Sequence, residues 1–199
     1  MTPLVDHRGE PRIVITGMGA ITPIGNSVEE AWDSMLTGRS GIGPITQFDS
    51  SGVTCKIAGE VRGFNPKDYM NHKEARRMAR ASQLAVATAT QALEDAKITI
   101  PVADPERLGV IIGTGMGGFD KANENVQAFL NHGLGRVKPF GLISCLPNMV
   151  SHHVSIVAQS HGPINTVVTA CATGTQTIGS AMEEIRRGRA DIMLAGGVE

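Results

Sequence analysis

Short apolar runs, separated by stretches of helical periodicity, most constrain what this chain can fold into. The runs are Arg12 to Thr16, Leu108 to Ile112, Ile164 to Thr169 and Asp191 to Ala195. Their apolar centres are continuous and do not alternate with polar residues, which is typical of strands buried on both faces of a parallel sheet. Because helical patterns lie between the runs, the sequence predicts an α/β layered fold with a mainly parallel sheet.

The helical stretches carry recognisable start and stop signals. Ser27 and Glu30 have the spacing of a capping box, and the apolar stripe that follows them ends near Gly38. Periodicity predicts further helices over His72 to Lys97, Asn148 to Ser160 and Cys171 to Arg187. The last of these is rich in alanine, glycine and isoleucine, so we expect it to be buried all round and to stop at Gly188.

Length and charge favour a single globular unit over residues 1–199. A chain of 199 residues can bury about 70% of its unfolded surface. We expect its core to comprise about 12–38 and 72–199, with an irregular excursion over about 39–71 that includes a small hairpin around Val53 to Val61. A formal net charge of -1 argues against a global attraction to nucleic acid or to an anionic membrane surface. No apolar run approaches the ~20 residues that span a bilayer.

Cysteine usage indicates a reducing compartment. Cys55, Cys145 and Cys171 are widely spaced and odd in number, which suits neither a disulfide framework nor a CxxC zinc site. The pattern predicts reduced thiols, as in a cytosol, and no metal centre.

A basic stripe marks the start of the predicted helix from His72. Lys73, Arg76, Arg77 and Arg80 stand at i, i+3, i+4 and i+7, so in one continuous helix they share one exposed face. Such a stripe is either a solvated helix face or a docking surface for an acidic partner.

The glycine-rich segment Gly113 to Gly118 (GTGMGG) directly follows a predicted strand and is a literal GxGxxG. A dinucleotide site also needs an acidic residue about 20 positions on, and the region Gly133 to Phe140 has none. The segment also lacks the lysine of a P-loop. We therefore expect these glycines to permit close backbone approach at a crowded end of the sheet.

Cys171 lies where a predicted strand leads into a predicted helix. The opening amide groups of a helix and its positive dipole end favour a thiolate and can donate to a developing oxyanion, as thioester exchange requires. Free cysteine is equally typical of a buried core, so both interpretations stay open from the residues alone. Every histidine precedes Cys171, and we expect His152 and His153, in a predicted helix, to be structural.

Three segments together resemble a known family: TVVTACATGTQTIGSAMEEIRRGRADIMLAGGVE, RIVITGMGAITPIGNSVEEAWDSMLTGRSGI and GVIIGTGMGG. They are similar to the condensing enzymes of the thiolase superfamily, most closely the β-ketoacyl-acyl-carrier-protein synthase II group, over about Arg12 to Glu199. The resemblance implies a thiolase-like layered fold in which this chain is the first, N-terminal half, with Cys171 on its buried helix. It also implies that Cys171 is the acyl-accepting nucleophile and that its own amide N–H is half of the oxyanion hole.

The resemblance assigns further roles. It places Lys73, Arg76 and Arg77 at the surface that meets acyl carrier protein, and Met116 at the acyl pocket. It implies a cytoplasmic homodimer joined through the strand before Cys171, and no cofactor besides the phosphopantetheine of the carrier. Relatives often carry an acid and an aromatic residue where this chain has Ala79 and Ala81, which leaves the local packing and the chain-length pocket open.

The function implied is fatty-acid elongation by decarboxylative condensation of malonyl-acyl-carrier protein with an acyl group held on Cys171. Family members run about twice as long, and their second half brings two histidines, a lysine and the second oxyanion N–H. We therefore expect an N-terminal fragment that is inactive alone. A polyketide-type ketosynthase and a noncatalytic partner subunit remain as alternatives; the latter type typically lacks the cysteine. A coenzyme-A thiolase is disfavoured by the long excursion and the basic stripe.

Overall fold

The computed structural model describes residues 5–199. Its α-helices are α1 (Val28–Leu36), α2 (His72–Ala75), α3 (Arg80–Asp95), α4 (Phe119–His132), α5 (Gly141–Ser144), α6 (Met149–Val157) and α7 (Thr173–Arg186). Its strands are β1 (Ile42–Pro44), β2 (Ile57–Gly59), β3 (Leu108–Gly113), β4 (Ile164–Asn165) and β5 (Ile192–Gly197). Short 3-10 turns occupy Pro66–Asp68, Pro105–Arg107, Leu134–Arg136 and Ala170–Ala172.

A parallel sheet of order β4-β3-β5 forms the centre of the fold. β3 is buried at every position, as its continuous apolar run predicts. Leu108, Val110 and Ile112 belong to the main core cluster, together with apolar side chains of α3 and α6. Since side chains alternate across a strand, the opposite face of β3 is the one that meets α7, where a Cβ added at Gly113 would touch Thr173. The predicted α/β layered fold with a parallel sheet is thereby confirmed.

The predicted strand Arg12 to Thr16 is wrong. The segment lies in no strand, and its apolar side chains Val14 and Ile15 are 71% and 76% exposed. The chain that follows is held by side chains instead of a ladder, because Met18 N–H donates to Asp95 Oδ2 at the end of α3, at 2.9 Å. The predicted strand from Ile164 is also shorter than expected, ending at Asn165.

The continuous helix predicted from His72 to Lys97 is divided into α2 and α3. The carbonyl oxygens of Ala75 and Arg77 accept hydrogen bonds from Gln83 Nε2 at 2.8 Å and from Ser144 Oγ at 2.6 Å. The amide N–H of Arg80 donates to Asp120 Oδ2 at 3.2 Å. These side chains satisfy groups that a continuous helix would pair internally, so the chain breaks between the two helices.

The capping box of α1 is confirmed with one shift in register. Glu30 N–H donates to Ser27 Oγ at 3.2 Å, while the Glu30 carboxylate accepts from Asn26 N–H at 2.8 Å, one residue earlier than the usual reciprocal bond. The apolar stripe of this helix faces outward, with Trp32 and Leu36 both exposed.

The excursion over 39–71 contains the antiparallel pair β1 and β2. The predicted hairpin around Val53 to Val61 is therefore wrong in its first strand, because β2 pairs with Ile42–Pro44 across a longer loop. The carboxylate of Glu60 closes that loop by accepting from the N–H and hydroxyl of Thr46 and from the N–H of Gln47.

Candidate active site

Cys171 lies in the 3-10 turn Ala170–Ala172, which follows β4 and leads directly into α7. Cys171 is exposed, which contradicts its interpretation as a small buried core residue. Ala170 has φ +50°, a left-handed conformation that is uncommon for a residue with a Cβ. Backbone strain of this kind clusters at functional sites, and here it immediately precedes the proposed nucleophile.

The turn is fixed from within. Thr169 N–H donates to Thr173 Oγ1 at 2.9 Å, and Thr173 is buried. No side chain of the described residues caps the start of α7, whose first residue follows Ala172. The N–H groups of Ala172 and Thr173 donate to the carbonyl oxygens of Thr169 and Ala170. Cys171 therefore lies in a closed backbone turn at the positive end of the α7 dipole, which favours negative charge there.

A shallow cavity of about 270 Å³ brings Cys171 together with the carboxyl ends of β3 and β5. Its walls are Gly113, Thr114, Ala170, Cys171, Thr173, Gly174, Gly197, Val198 and Glu199. This is the end of a parallel sheet at which α/β proteins commonly bind ligands.

Glycines let the sheet and α7 meet at this point. A Cβ on Gly113 would lie 2.0 Å from Thr173 Cγ2, and a Cβ on Gly197 would lie 2.8 Å from Gly174 Cα. The interpretation of Gly113 as a residue of close backbone approach is confirmed, because any side chain here would separate β3 and β5 from the start of α7.

Glu199 is a site residue that sequence reasoning missed. Its carboxylate accepts a hydrogen bond from Gly115 N–H and lies 3.4 Å from Thr114 Oγ1. Thr114 Oγ1 in turn accepts from Gly117 N–H at 3.1 Å. Glu199 thus braces the glycine-rich loop after β3 against the Cys171 cavity. Glu199 is the last residue of AGGVE, the end of a segment that carries the family resemblance, and this position is the one sequence signal that points to it.

Met116 lies on that same loop, is 60% exposed and is not part of the lining of the Cys171 cavity. Its assignment to the acyl pocket stays a prediction.

The predicted basic stripe is divided by the break between α2 and α3. Lys73, Arg76 and Arg77 line one groove of about 600 Å³. Arg80 lies apart from it, half-buried with its guanidinium 4.6 Å from the Phe64 ring centroid. The guanidinium of Arg77 lies 4.7 Å from the centroid of Phe140, so it is held at the groove wall. Three of the four cations of the stripe are thus brought together.

The histidines lie away from the thiol. His152 and His153 are adjacent on α6, with ring centroids 5.1 Å apart, and burial lowers the pKa of His153 to about 4, with His152 adding to the effect. No histidine of residues 5–199 lines the Cys171 cavity. In the same part of the chain, no group of three His, Cys, Asp or Glu side chains is placed to hold a metal ion. None of the described helices is long and apolar enough to cross a membrane.

Comparison with known proteins places this geometry in a family. The family model "Beta-ketoacyl synthase, N-terminal domain" matches residues 10–199. The 3-oxoacyl-[acyl-carrier-protein] synthase 2 of Synechocystis sp. (strain ATCC 27184 / PCC 6803 / Kazusa) is 42% identical over 188 residues, covering 94% of this chain and 45% of the relative. The enzyme of the same name from Staphylococcus aureus (strain COL) is 43% identical over 188 residues, with the same coverage.

A solved structure shows the same fold. "The ishigamide ketosynthase/chain length factor" superposes with a TM-score of 0.88 at 33% identity, covering 94% of this chain and 47% of that chain. The chain spans about half the length of the curated relatives it matches. The exposed cysteine at the start of α7, the parallel sheet below it and the match over residues 10–199 agree: the chain belongs to the β-ketoacyl synthase family, whose N-terminal domain it contains.

Proposed function

We propose that this chain provides the acyl-accepting site of a fatty-acid condensing enzyme. The observation that carries the proposal is the exposed Cys171, in a turn with left-handed Ala170 that leads directly into α7. The relatives at 42% and 43% identity are named as synthases acting on acyl-carrier-protein substrates, which supports this substrate class.

In the first step the Cys171 thiolate attacks the carbonyl carbon of an acyl thioester on the carrier protein. The carrier thiolate leaves, takes a proton, and the acyl group remains on Cys171 as a new thioester. The negative charge on the carbonyl oxygen during this exchange is stabilised by the N–H of Cys171 itself, at the positive end of the α7 dipole.

In the second step malonyl-acyl-carrier protein loses carbon dioxide, and the resulting carbanion attacks the acyl carbon. The bond to the Cys171 sulfur breaks, which returns the thiolate and releases the β-ketoacyl product on the carrier. No cofactor is consumed, since both substrates arrive on the phosphopantetheine arm of the carrier.

The partner of this reaction is an acidic acyl carrier protein. We place its docking surface at Lys73, Arg76 and Arg77, which line one groove; Lys73 and Arg76 are exposed. A cytoplasmic homodimer completes the proposal, with protomers joined along β4. In the described chain this short strand pairs with β3 alone, so its outer edge is open to a second copy.

A polyketide-type ketosynthase is the second candidate, supported by the TM-score of 0.88 to the ketosynthase/chain length factor structure. A noncatalytic partner subunit is disfavoured because Cys171 is both present and exposed.

Acylation of the full protein encoded by the gene tests the proposal. After incubation with acyl-carrier protein, intact mass should increase by one acyl group for the parent and by none for Cys171→Ala. Cys145→Ala is the matched control and should be acylated like the parent. Acylation of Cys171→Ala at the parental level would refute the nucleophile assignment. Malonyl-carrier consumption is then measured once with a short fatty acyl starter and once with a polyketide starter. Faster consumption with the fatty acyl starter favours fatty-acid elongation, and the reverse favours a polyketide-type ketosynthase.

A further inference from the structure

The groove that holds the proposed docking cations contains a second charge cluster. On α4, Lys121 Nζ lies 2.9 Å from Glu124 Oε1, and from the facing loop Lys138 Nζ lies 3.0 Å from Glu124 Oε2. One carboxylate therefore holds two ammonium groups, one from each wall of the groove.

Glu124 is the one carboxylate among the described residues that line this groove. It shares the lining with five cationic side chains, those of Lys73, Arg76, Arg77, Lys121 and Lys138. Hydrogen bonds from Lys121 and then Lys138 lower the pKa of Glu124, so the carboxylate is ionised at neutral pH. The side chains of Glu124 and Lys138 are 44% and 68% exposed, so an incoming anion can reach this ion pair from solvent.

We propose that Glu124 is an internal competitor for the acidic partner, and that Lys121 and Lys138 form a second anion-binding site of the docking surface. The occupant is a carboxylate side chain of the carrier protein, which exchanges with Glu124 when the partner docks. The inference rests on the proposed function, because it requires an acidic carrier protein at Lys73, Arg76 and Arg77.

The physical reason for an internal competitor lies in the burial of Lys121. Its side chain is 18% exposed, and an ammonium group so placed is costly without a counter-ion. Glu124 supplies that counter-ion while the groove is empty. A partner carboxylate then replaces one ion pair with another. The net gain in binding free energy is therefore small, and the partner dissociates fast. A carrier protein that must leave after every transfer benefits from such weak and salt-sensitive docking.

Glu124→Gln in the full protein tests the proposal, because the substitution keeps the shape and removes the charge. Glu183→Gln is the matched control. Glu183 is 45% exposed on α7 and pairs with two arginines, Arg186 at 3.9 Å and Arg187 at 3.5 Å, outside the groove. Both variants change the net charge equally. We expect Glu124→Gln to bind an acidic acyl carrier protein about two- to fivefold more tightly than the control at low salt.

Adding Lys138→Gln to Glu124→Gln should abolish the gain, since the released ammonium group is what binds the partner. A Kd for Glu124→Gln equal to or higher than that of Glu183→Gln would contradict the competing role of Glu124. Lys73→Glu combined with Arg76→Glu distinguishes failure of the docking surface from failure of the competing role of Glu124. If that pair of substitutions weakens binding while Glu124→Gln matches its control, the docking surface is supported and the competing role of Glu124 is contradicted. If the pair of substitutions leaves binding unchanged, both the docking surface and the competing role of Glu124 are contradicted.

Discussion

The hydroxyl of Thr177 lies 3.0 Å from the carbonyl oxygen of Gly196 and 2.7 Å from that of Gly174. Thr177 is fully buried, one turn after the start of α7, and Gly196 is in β5. This single polar side chain therefore links the helix that presents Cys171 to the strand beside it. The link contributes to holding α7 against β5.

Replacing Thr177 with valine keeps the volume of the side chain and removes its hydrogen-bond donor. We expect a loss of about 1 to 2 kcal/mol in the free energy of unfolding, because the hydrogen bond of a buried hydroxyl is lost. Urea denaturation measures the loss as a lower midpoint at unchanged slope. Thr175→Val, at an exposed position of the same helix, is the control and should change the midpoint little. Equal effects of the two substitutions would mean that the buried hydroxyl contributes nothing specific.

Glycine substitution should change stability in opposite directions at two nearby alanines, Ala170 and Ala172. The φ of +50° at Ala170 disfavours any residue with a Cβ, so Ala170→Gly should be neutral or stabilising by about 1 kcal/mol. Ala172, the control, has φ -83°, and glycine there should destabilise by about 0.5 to 1 kcal/mol. Thermal unfolding of both variants measures the difference. Destabilisation of equal size at both positions would show that the left-handed conformation carries no strain.

The sequence predicts those elements whose signals are local. Continuous burial of β3 follows from its apolar run, and the Ser27 cap of α1 follows from side-chain chemistry within one turn. Gly188, with φ +68°, lies just past the end of α7 as predicted. In each case the information lies within a few residues of the element that it determines.

The errors of sequence reasoning arise from distant partners. The break between α2 and α3 depends on Ser144 and Asp120, which come from segments far along the chain. α7 is buried along Thr173, Thr177 and Ala181, while Ile178 is exposed, so the prediction of burial all round is wrong. Composition indicates how apolar a helix is, but not how many of its faces find a neighbour.

The candidate site shows the same difference between residues with local sequence signals and residues that depend on distant partners. The strand-to-helix junction, a local pattern, makes Cys171 a candidate, and the family resemblance assigns it the role of nucleophile. Glu199 was missed because its role depends on contact with Gly115, which is distant in sequence. A carboxylate just past the end of β5 becomes informative only when the loop that it holds is known.

His153 gives the protein a pH dependence of stability. Burial lowers its pKa from 6.5 to about 4, with a further contribution from His152, whereas Glu74 acts in the opposite direction. In the unfolded chain the imidazole takes up a proton as the pH falls through 6.5, and in the folded chain it does so only near 4. Between these values the unfolded state binds more protons, so stability should fall as the pH is lowered.

His153→Gln should therefore flatten the decline of the melting temperature between pH 6.5 and pH 4. His132→Gln, at an exposed position near the end of α4, should retain the parental slope. Parallel slopes for the two variants would contradict a neutral, half-buried His153.

Charge reversal tests whether the groove on α2 meets an acidic partner or is a solvated face. Lys73 and Arg76 are exposed and stand on the same wall, so Lys73→Glu with Arg76→Glu replaces attraction by repulsion over one short surface. We expect the KM for the carrier-protein substrate to increase about tenfold or more, and its salt sensitivity to decrease, because screening acts on the attraction that is lost. Lys67→Glu with Lys97→Glu changes the net charge equally at exposed positions outside the groove and should leave KM near the parental value. Steady-state kinetics at several ionic strengths distinguish the pairs. If both shift KM alike, net charge alone acts on the carrier; if neither does, the groove is an ordinary solvated surface, and acyl transfer to Cys171 must be guided from elsewhere.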